Sequence, residues 1–325
     1  YHAYTIWLFT YSSLKDTVYP SAAFATSTAL STSFPFPAPS GYLSVLASIF
    51  FSLFWAWLFL LFFSLHNQHQ ESSVLEDAIN KPWRPIPSGR ITSSQTRLLL
   101  AAYYPIWFGI SFYFGCSRQC LGLTVTTWYY CELGGCEQGG FARNLLNTMG
   151  YSGFFAGALQ SFLFAQQSFV TMTGMPNPEM PDVYAGKSGV WLVMVCALIF
   201  STIHAQDFRD EEGDRARGRR TVQTTLGDKA ARWAVVIAAV GWSIVIPWAL
   251  GLGLVVMGWL LAGAGMLAWC MLRCLLGEER TVERDVAAYK VWIGWFVAVI
   301  LAPLMGDGLE KAMEVLKRQL GYMDR

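Results

Sequence analysis

Residues 233–272 read WAVVIAAVGWSIVIPWALGLGLVVMGWLLAGAGMLAWCML, with no Asp, Glu, Lys or Arg. A helix that crosses a bilayer needs about 20 apolar residues. This run is long enough for two such helices, and Pro247, Gly251 and Gly253 divide it near its middle. Residues 42–65 and 188–206 are also free of these four charged types. Hydrophobic residues make up 54% of the chain, aromatics 15% and charged residues only 14%, whereas a soluble domain carries about a quarter charged residues. The sequence therefore reads as an all-α integral membrane protein and argues against a soluble enzyme with an apolar core. Nine transmembrane helices are expected, near 17–34, 42–65, 94–114, 121–138, 146–168, 188–206, 230–249, 252–272 and 288–306.

Threading those helices in order leaves all but six of the 23 Lys and Arg residues on one side of the membrane. The exceptions are Arg118, Lys187, Lys311, Lys317, Arg318 and Arg325. Positive charge collects in cytoplasmic loops, which places the rich side in the cytoplasm. The opening residues 1–16 do not have the form of a cleavable signal; Trp7, Phe9 and Tyr11 before Lys15 suggest an interfacial helix. Residues 307–325 alternate apolar and charged side chains at helical spacing, as in an amphipathic end helix. The whole chain, 1–325, reads as one transmembrane domain. Of the seven cysteines, Cys116 and Cys120 fall on the non-cytoplasmic side, near enough in sequence to pair; the others read as packing thiols.

Two acidic clusters with basic neighbours lie on the cytoplasmic side. The first runs from Asn67 through Glu71, Glu76, Asp77, Asn80, Lys81 and Arg84; the second holds Asp207, Asp210, Asp214 and Arg215, then Arg217, Arg219 and Arg220. Carboxylates crowded at a membrane boundary repel one another unless a cation holds them, and oxygen-only ligands suit a hard ion such as Mg²⁺. If the 188–206 helix continues to about residue 214, Asp207, Asp210 and Asp214 share one face. Asn67 and Glu71 would likewise extend the 42–65 helix, with Asp77 and Asn80 as a further pair. Arg84 sits between Pro82, Pro85 and Pro87, where a fixed guanidinium suits diphosphate oxygens, with Lys81 as a point charge beside it. A solvated loop explains one such acid better than it explains three in register.

The pattern resembles the UbiA superfamily of intramembrane prenyltransferases: Asn67-x-x-x-Glu71, then Arg84-Pro-Ile-Pro-Ser-Gly, then Asp207-x-x-Asp210-x-x-Gly-Asp214-Arg215. The resemblance covers nearly the whole chain. It implies a nine-transmembrane-helix bundle with a central cavity opening sideways to lipid, where two Asp-rich motifs bind Mg²⁺ and a prenyl diphosphate. It also implies that Asn67, Glu71, Asp210 and Asp214 are catalytic metal ligands, that Asp207 supports them, and that Arg84 and Arg215 meet the diphosphate. Lys81, Arg143, Asn144 and Lys290 are further diphosphate candidates from the same membrane face. The first motif departs from the family's Asn-Asp-x-x-Asp-x-x-x-Asp, with Gln68, Glu71 and Leu75 at the three acidic positions. Either Asp77 substitutes from the next turn or the site holds fewer carboxylates.

The stretch Glu76-Asp77-x-x-Asn80-Lys81-Pro82-x-Arg84-Pro85 is similar to fungal UbiA members that include membrane-bound terpene cyclases. That likeness implies a sesquiterpene cyclase converting farnesyl diphosphate into a cyclic terpene and diphosphate. The alternative is a UbiA-type transferase moving the prenyl group to an aromatic or lipid acceptor. A transporter fits poorly, because the acids gather at one face rather than at mid-membrane; Glu132 is the one residue that reading could use. The partners expected are the prenyl diphosphate and the bilayer, with no nucleic acid and no obligatory protein partner. In a eukaryotic cell the membrane would be the endoplasmic reticulum.

Overall fold

A computed structural model of the chain describes residues 1–172 and 182–319, with side chains through residue 314. Its α-helices are α1 His2–Thr10, α2 Tyr19–Leu30, α3 Tyr42–Gln68, α4 Glu71–Asn80, α5 Ser93–Tyr113, α6 Ser117–Cys131, α7 Gly140–Met172, α8 Gly186–Thr202, α9 Glu211–Ala216, α10 Val222–Leu226, α11 Asp228–Leu250, α12 Gly253–Leu272 and α13 Val282–Gln319. The uncharged 233–272 run folds as its Pro and Gly residues imply. Gly251, in the left-handed region at φ 70°, ends α11, and α12 returns beside it.

Each of the nine expected segments contains a helix, but the count of elements differs from nine. The short α1, α4, α9 and α10 lie outside those segments. Among the described residues, five stretches are long and apolar enough to cross a membrane: Tyr42–Gln68, Gly186–Gln206, Asp228–Leu250, Gly253–Leu276 and Val282–Glu314. Outward-facing Trp248, Leu254, Trp259, Met266 and Trp269 are all exposed. So large an apolar exterior needs lipid rather than water around it. The chain is an integral membrane protein. Helix α7 packs against α2, α3, α6 and α8, while α11, α12 and α13 pack on one another and α13 meets α2. Helices α7 and α3 approach closely at Gly157, where an added Cβ would stand 2.0 Å from the Trp55 ring.

Three expectations need revision. Neither motif continues its preceding helix: α3 stops at Gln68 and α8 at Thr202. Cys116 and Cys120 are buried, free thiols rather than a pair. Helix α13 is one run to Gln319 with no separate start at 307; the remainder of the expected end helix, residues 320–325, lies outside the described residues.

Candidate active site

The break between α3 and α4 sets the first half of the site. His69 caps the C-terminal end of α3, Gln70 is extended (φ −68°, ψ 135°), and Glu71 opens α4. Glu132 fastens this corner: its Oε1 lies 2.8 Å from His66 Nδ1, and its Oε2 accepts from Gln70 at 2.8 Å. Glu132 thus holds a corner at the membrane face rather than an ion path. The turn leaves Glu71 exposed and buries Glu76 and Asp77. Both Asp77 oxygens accept from Arg84 Nη1, at 2.7 and 2.8 Å. Glu76 Oε2 receives Arg217 and Arg219, each at 3.0 Å.

The second half is built by another break. After α8 the chain makes a 3₁₀ turn at Ile203–Gln206, and Asp210 stands at the N-terminus of α9. Asp210 therefore turns inward while Asp207 and Asp214 lie behind it. Asp207 pairs with Arg143, and Asp214 accepts from Arg219 at 2.6 Å. Asp210 Oδ2 faces Arg209 at 3.3 Å and Lys81 at 3.8 Å. Helices α4 and α9 touch at Gly213, where an added Cβ would meet Asn80 Nδ2 at 2.2 Å; that amide also donates to the Asp210 carbonyl at 3.2 Å.

The charges divide into two kinds. Burial works to raise Asp210, but Lys81, Arg209 and Arg143 outweigh it and hold the carboxyl below its ordinary range. Glu76 is held low in the same way, with Arg219 foremost among its cations. Burial prevails at Asp214 and pushes it up to about 6; it also raises Asp207 against the nearby Arg143.

Two cavities meet at this cluster. An outer one of about 920 Å³ opens between the α1–α2 segment, the end of α4, α9 and the start of α13. An inner one of about 170 Å³ has a polar roof of Asn67, Glu76, Lys81, Arg84, Arg143, Arg209, Asp210 and Arg219. Its walls include Phe59, Phe63, Tyr130, Leu146, Tyr151, Phe154 and Ile203. Lys81, Arg209 and Asp210 line both, so their contacts form the partition.

The sequence pattern of the UbiA prenyltransferase family matches residues 73–300. The chain belongs to that family. This UbiA protein is 28% identical over 304 residues to the fumagillin beta-trans-bergamotene synthase of Aspergillus fumigatus, covering 92% of this chain and 91% of the relative. It is 28% identical over 197 residues to the polyprenyl transferase eriF of Hericium erinaceus, covering 60% of this chain and 61% of the relative. Its fold matches a UbiA homolog from Archaeoglobus fulgidus solved with GPP and Mg²⁺, at a TM-score of 0.61 and 12% identity, over 93% of this chain and 99% of that one.

The structure of this UbiA protein brings together Asn67, Lys81, Arg84, Arg143 and Asp210 around the inner cavity. Asp207 and Asp214 stand behind them. Glu71 is solvent-exposed, because the α3–α4 break removes the helical register that paired it with Asn67. Asp77 does not line either cavity and is engaged by Arg84. Asn144 ties α7 to α8 by donating to the Phe200 carbonyl at 3.1 Å. Lys290 is exposed on α13 and lines neither cavity, and Arg215 reaches only the outer one, paired with Glu211 at 2.5 Å. Sequence reasoning missed Glu76, Arg209 and Arg219 as lining residues, though all three lie inside the quoted clusters. Gln206 and Asn147 carried no signal.

Among the described residues no three acidic, His or Cys side chains stand close enough to hold a metal as they are. The donor chemistry nevertheless suits Mg²⁺. Asp207 Oδ2 and Asp214 Oδ2 are buried without a hydrogen-bond partner, and every candidate donor is oxygen. The Nε atoms of Arg84, Arg143 and Arg219 are buried and unpartnered as well, three donors suited to an anion.

Proposed function

We propose that this protein ionises an allylic prenyl diphosphate inside the membrane, farnesyl diphosphate being the donor, and closes the cation on itself as a terpene cyclase. One observation carries the reading: a cavity roofed by five cations and walled by aromatic faces. Lys81, Arg84, Arg143, Arg209 and Arg219 receive the diphosphate and stabilise the charge that develops as it leaves. Asn67, Glu76, Asp207, Asp210 and Asp214 would hold Mg²⁺, which when bound acts as a Lewis acid on the leaving group. Phe59, Phe63, Tyr130, Tyr151 and Phe154 line the cavity with aromatic and apolar surface that would stabilise the cation and keep water out.

The inner cavity of about 170 Å³ is smaller than the roughly 300 Å³ or more of ordinary ligand pockets. Substrate entry therefore opens the Lys81–Asp210–Arg209 partition, the two cations exchanging the carboxylate for phosphate. Nine spans, with the motif face in the cytoplasm and the endoplasmic reticulum as the eukaryotic location, complete the proposal. The bergamotene synthase, similar over nearly its whole length, supports the cyclase form. Likeness to eriF favours a second reading, transfer of the prenyl group to an acceptor, for which the outer cavity offers about 920 Å³.

Purified protein given farnesyl diphosphate and Mg²⁺ without an acceptor separates the two. Cyclic hydrocarbon in the gas-chromatographic trace is the expected result. No hydrocarbon from geranyl, farnesyl or geranylgeranyl diphosphate, with product appearing only once an aromatic or lipid acceptor is added, would replace the cyclase with the transferase.

A further inference from the structure

Ionising the substrate leaves a carbocation, and ending its life as a hydrocarbon requires a base inside the cavity. Three carboxylates line the inner cavity: Asp16, Glu76 and Asp210. Glu76 is held by Arg217 and Arg219, and Asp210 by Lys81 and Arg209. A carboxylate locked to guanidinium or ammonium is a poor proton acceptor. Asp16 differs. Among the described residues it has no ion pair, and its carboxylate receives only hydroxyls: Tyr289 Oη at 2.8 Å on Oδ2 and Thr17 Oγ1 at 3.3 Å on Oδ1.

The backbone presents it deliberately. Residues Leu14–Val18 form a π turn leading into α2, a local widening that re-aims side chains. Tyr151 Oη donates to the Asp16 carbonyl at 2.8 Å and fixes the turn against α7. Asp16 is only 6% exposed and lines the same cavity as Phe59, Tyr130, Tyr151 and Phe154. The Tyr289 ring that supplies its hydrogen bond also lies 3.7 Å beneath the Arg209 guanidinium, so Asp16 is indexed to the diphosphate roof.

We propose that Asp16 is the base that ends the cation chemistry, with Tyr289 as its positioning residue; this rests on the function proposed above. A C–H bond beside the cationic carbon breaks, its electron pair becomes the new C=C bond, and the proton passes to a carboxylate oxygen of Asp16. The carboxylate is restored when that proton moves to water as the product leaves.

The test uses whichever of geranyl, farnesyl and geranylgeranyl diphosphate the wild type ionises, and reads the native olefin formed per diphosphate released. That ratio counts only molecules that turned over, so a loss of folded protein cannot imitate the effect. Asp16→Asn is expected to lower it about tenfold or more, with water-trapped alcohols or other olefins in its place. Tyr289→Phe should lower it less. An unchanged ratio and product set for Asp16→Asn would overturn the proposal. Should that variant not turn over at all, Asp16→Glu decides: a displaced double bond supports the role, and the native product alone contradicts it. A wild type that releases diphosphate only when an aromatic or lipid acceptor is added would overturn this proposal and leave the transferase reading standing. No release from any donor, with or without acceptor, would overturn both readings and this proposal with them.

Discussion

Glu71 and Glu76 show how much one corner of backbone decides. The sequence places Glu71 in the motif position four residues after Asn67, but the break at Gln70 leaves it exposed, and Glu76 points into the cavity roof beside Arg219. Glu76→Gln is therefore expected to lower kcat/KM for the prenyl diphosphate about a hundredfold or more, the scale of deleting one preorganised charged group. Glu71→Gln should change it little, as exposed substitutions do. Steady-state kinetics on both variants checks this, and equal losses would restore Glu71 to the site. Side-chain types and approximate positions were legible in the sequence, because carboxylates crowded at a membrane edge repel one another unless cations answer them. Which acid faces inward was not legible, since it depends on where a helix ends within two residues. Arg84 was read as a diphosphate ligand alone, yet it also neutralises buried Asp77. Removing it would leave that carboxylate unpaired, a loss of about 3–5 kcal/mol.

The short elements carry what the long helices cannot. The long apolar helices were legible from hydropathy because a bilayer demands unbroken apolar runs. Helices α4, α9 and α10 were not, because they are polar, brief and fixed by tertiary contact rather than by periodicity. Gly140 is one such contact. It begins α7, and a Cβ there would stand 2.2 Å from the Val222 backbone nitrogen at the start of α10. Backbone does not yield as a flexible side chain does, so Gly140→Ala should push α7 from α10 and disturb Arg143 one turn along. An overpacking cost of about 1–3 kcal/mol is expected, read as a lower thermal unfolding temperature together with weaker substrate use. Gly241→Ala, on a face of α11 where a Cβ meets nothing within 4 Å, is the matched control and should be neutral or mildly stabilising.

Across the whole molecule, charge and apolar surface are segregated. Both motifs, α9, α10 and the α12–α13 connection lie on one face, where Arg280 pairs with Glu211 across the site's rim. Lys187, by contrast, begins α8 at its opposite end. The proposed cytoplasmic placement of the cation-rich face predicts that an epitope inserted beside Glu279 binds antibody only after cells are permeabilised, and that one beside Lys187 binds without it. The reverse pattern would invert the topology. The all-helical membrane fold follows from the apolar runs of the sequence, whereas the two adjoining cavities depend on side chains meeting across helices distant in the chain. The central claim, that this face ionises a diphosphate, is tested most directly by Mg²⁺-dependent diphosphate release from farnesyl diphosphate without acceptor, in the wild type and in Asp210→Ala. Release by the wild type and its loss in Asp210→Ala, with both proteins folded, is the expected result. Equal release by the two proteins would contradict the assignment of the site.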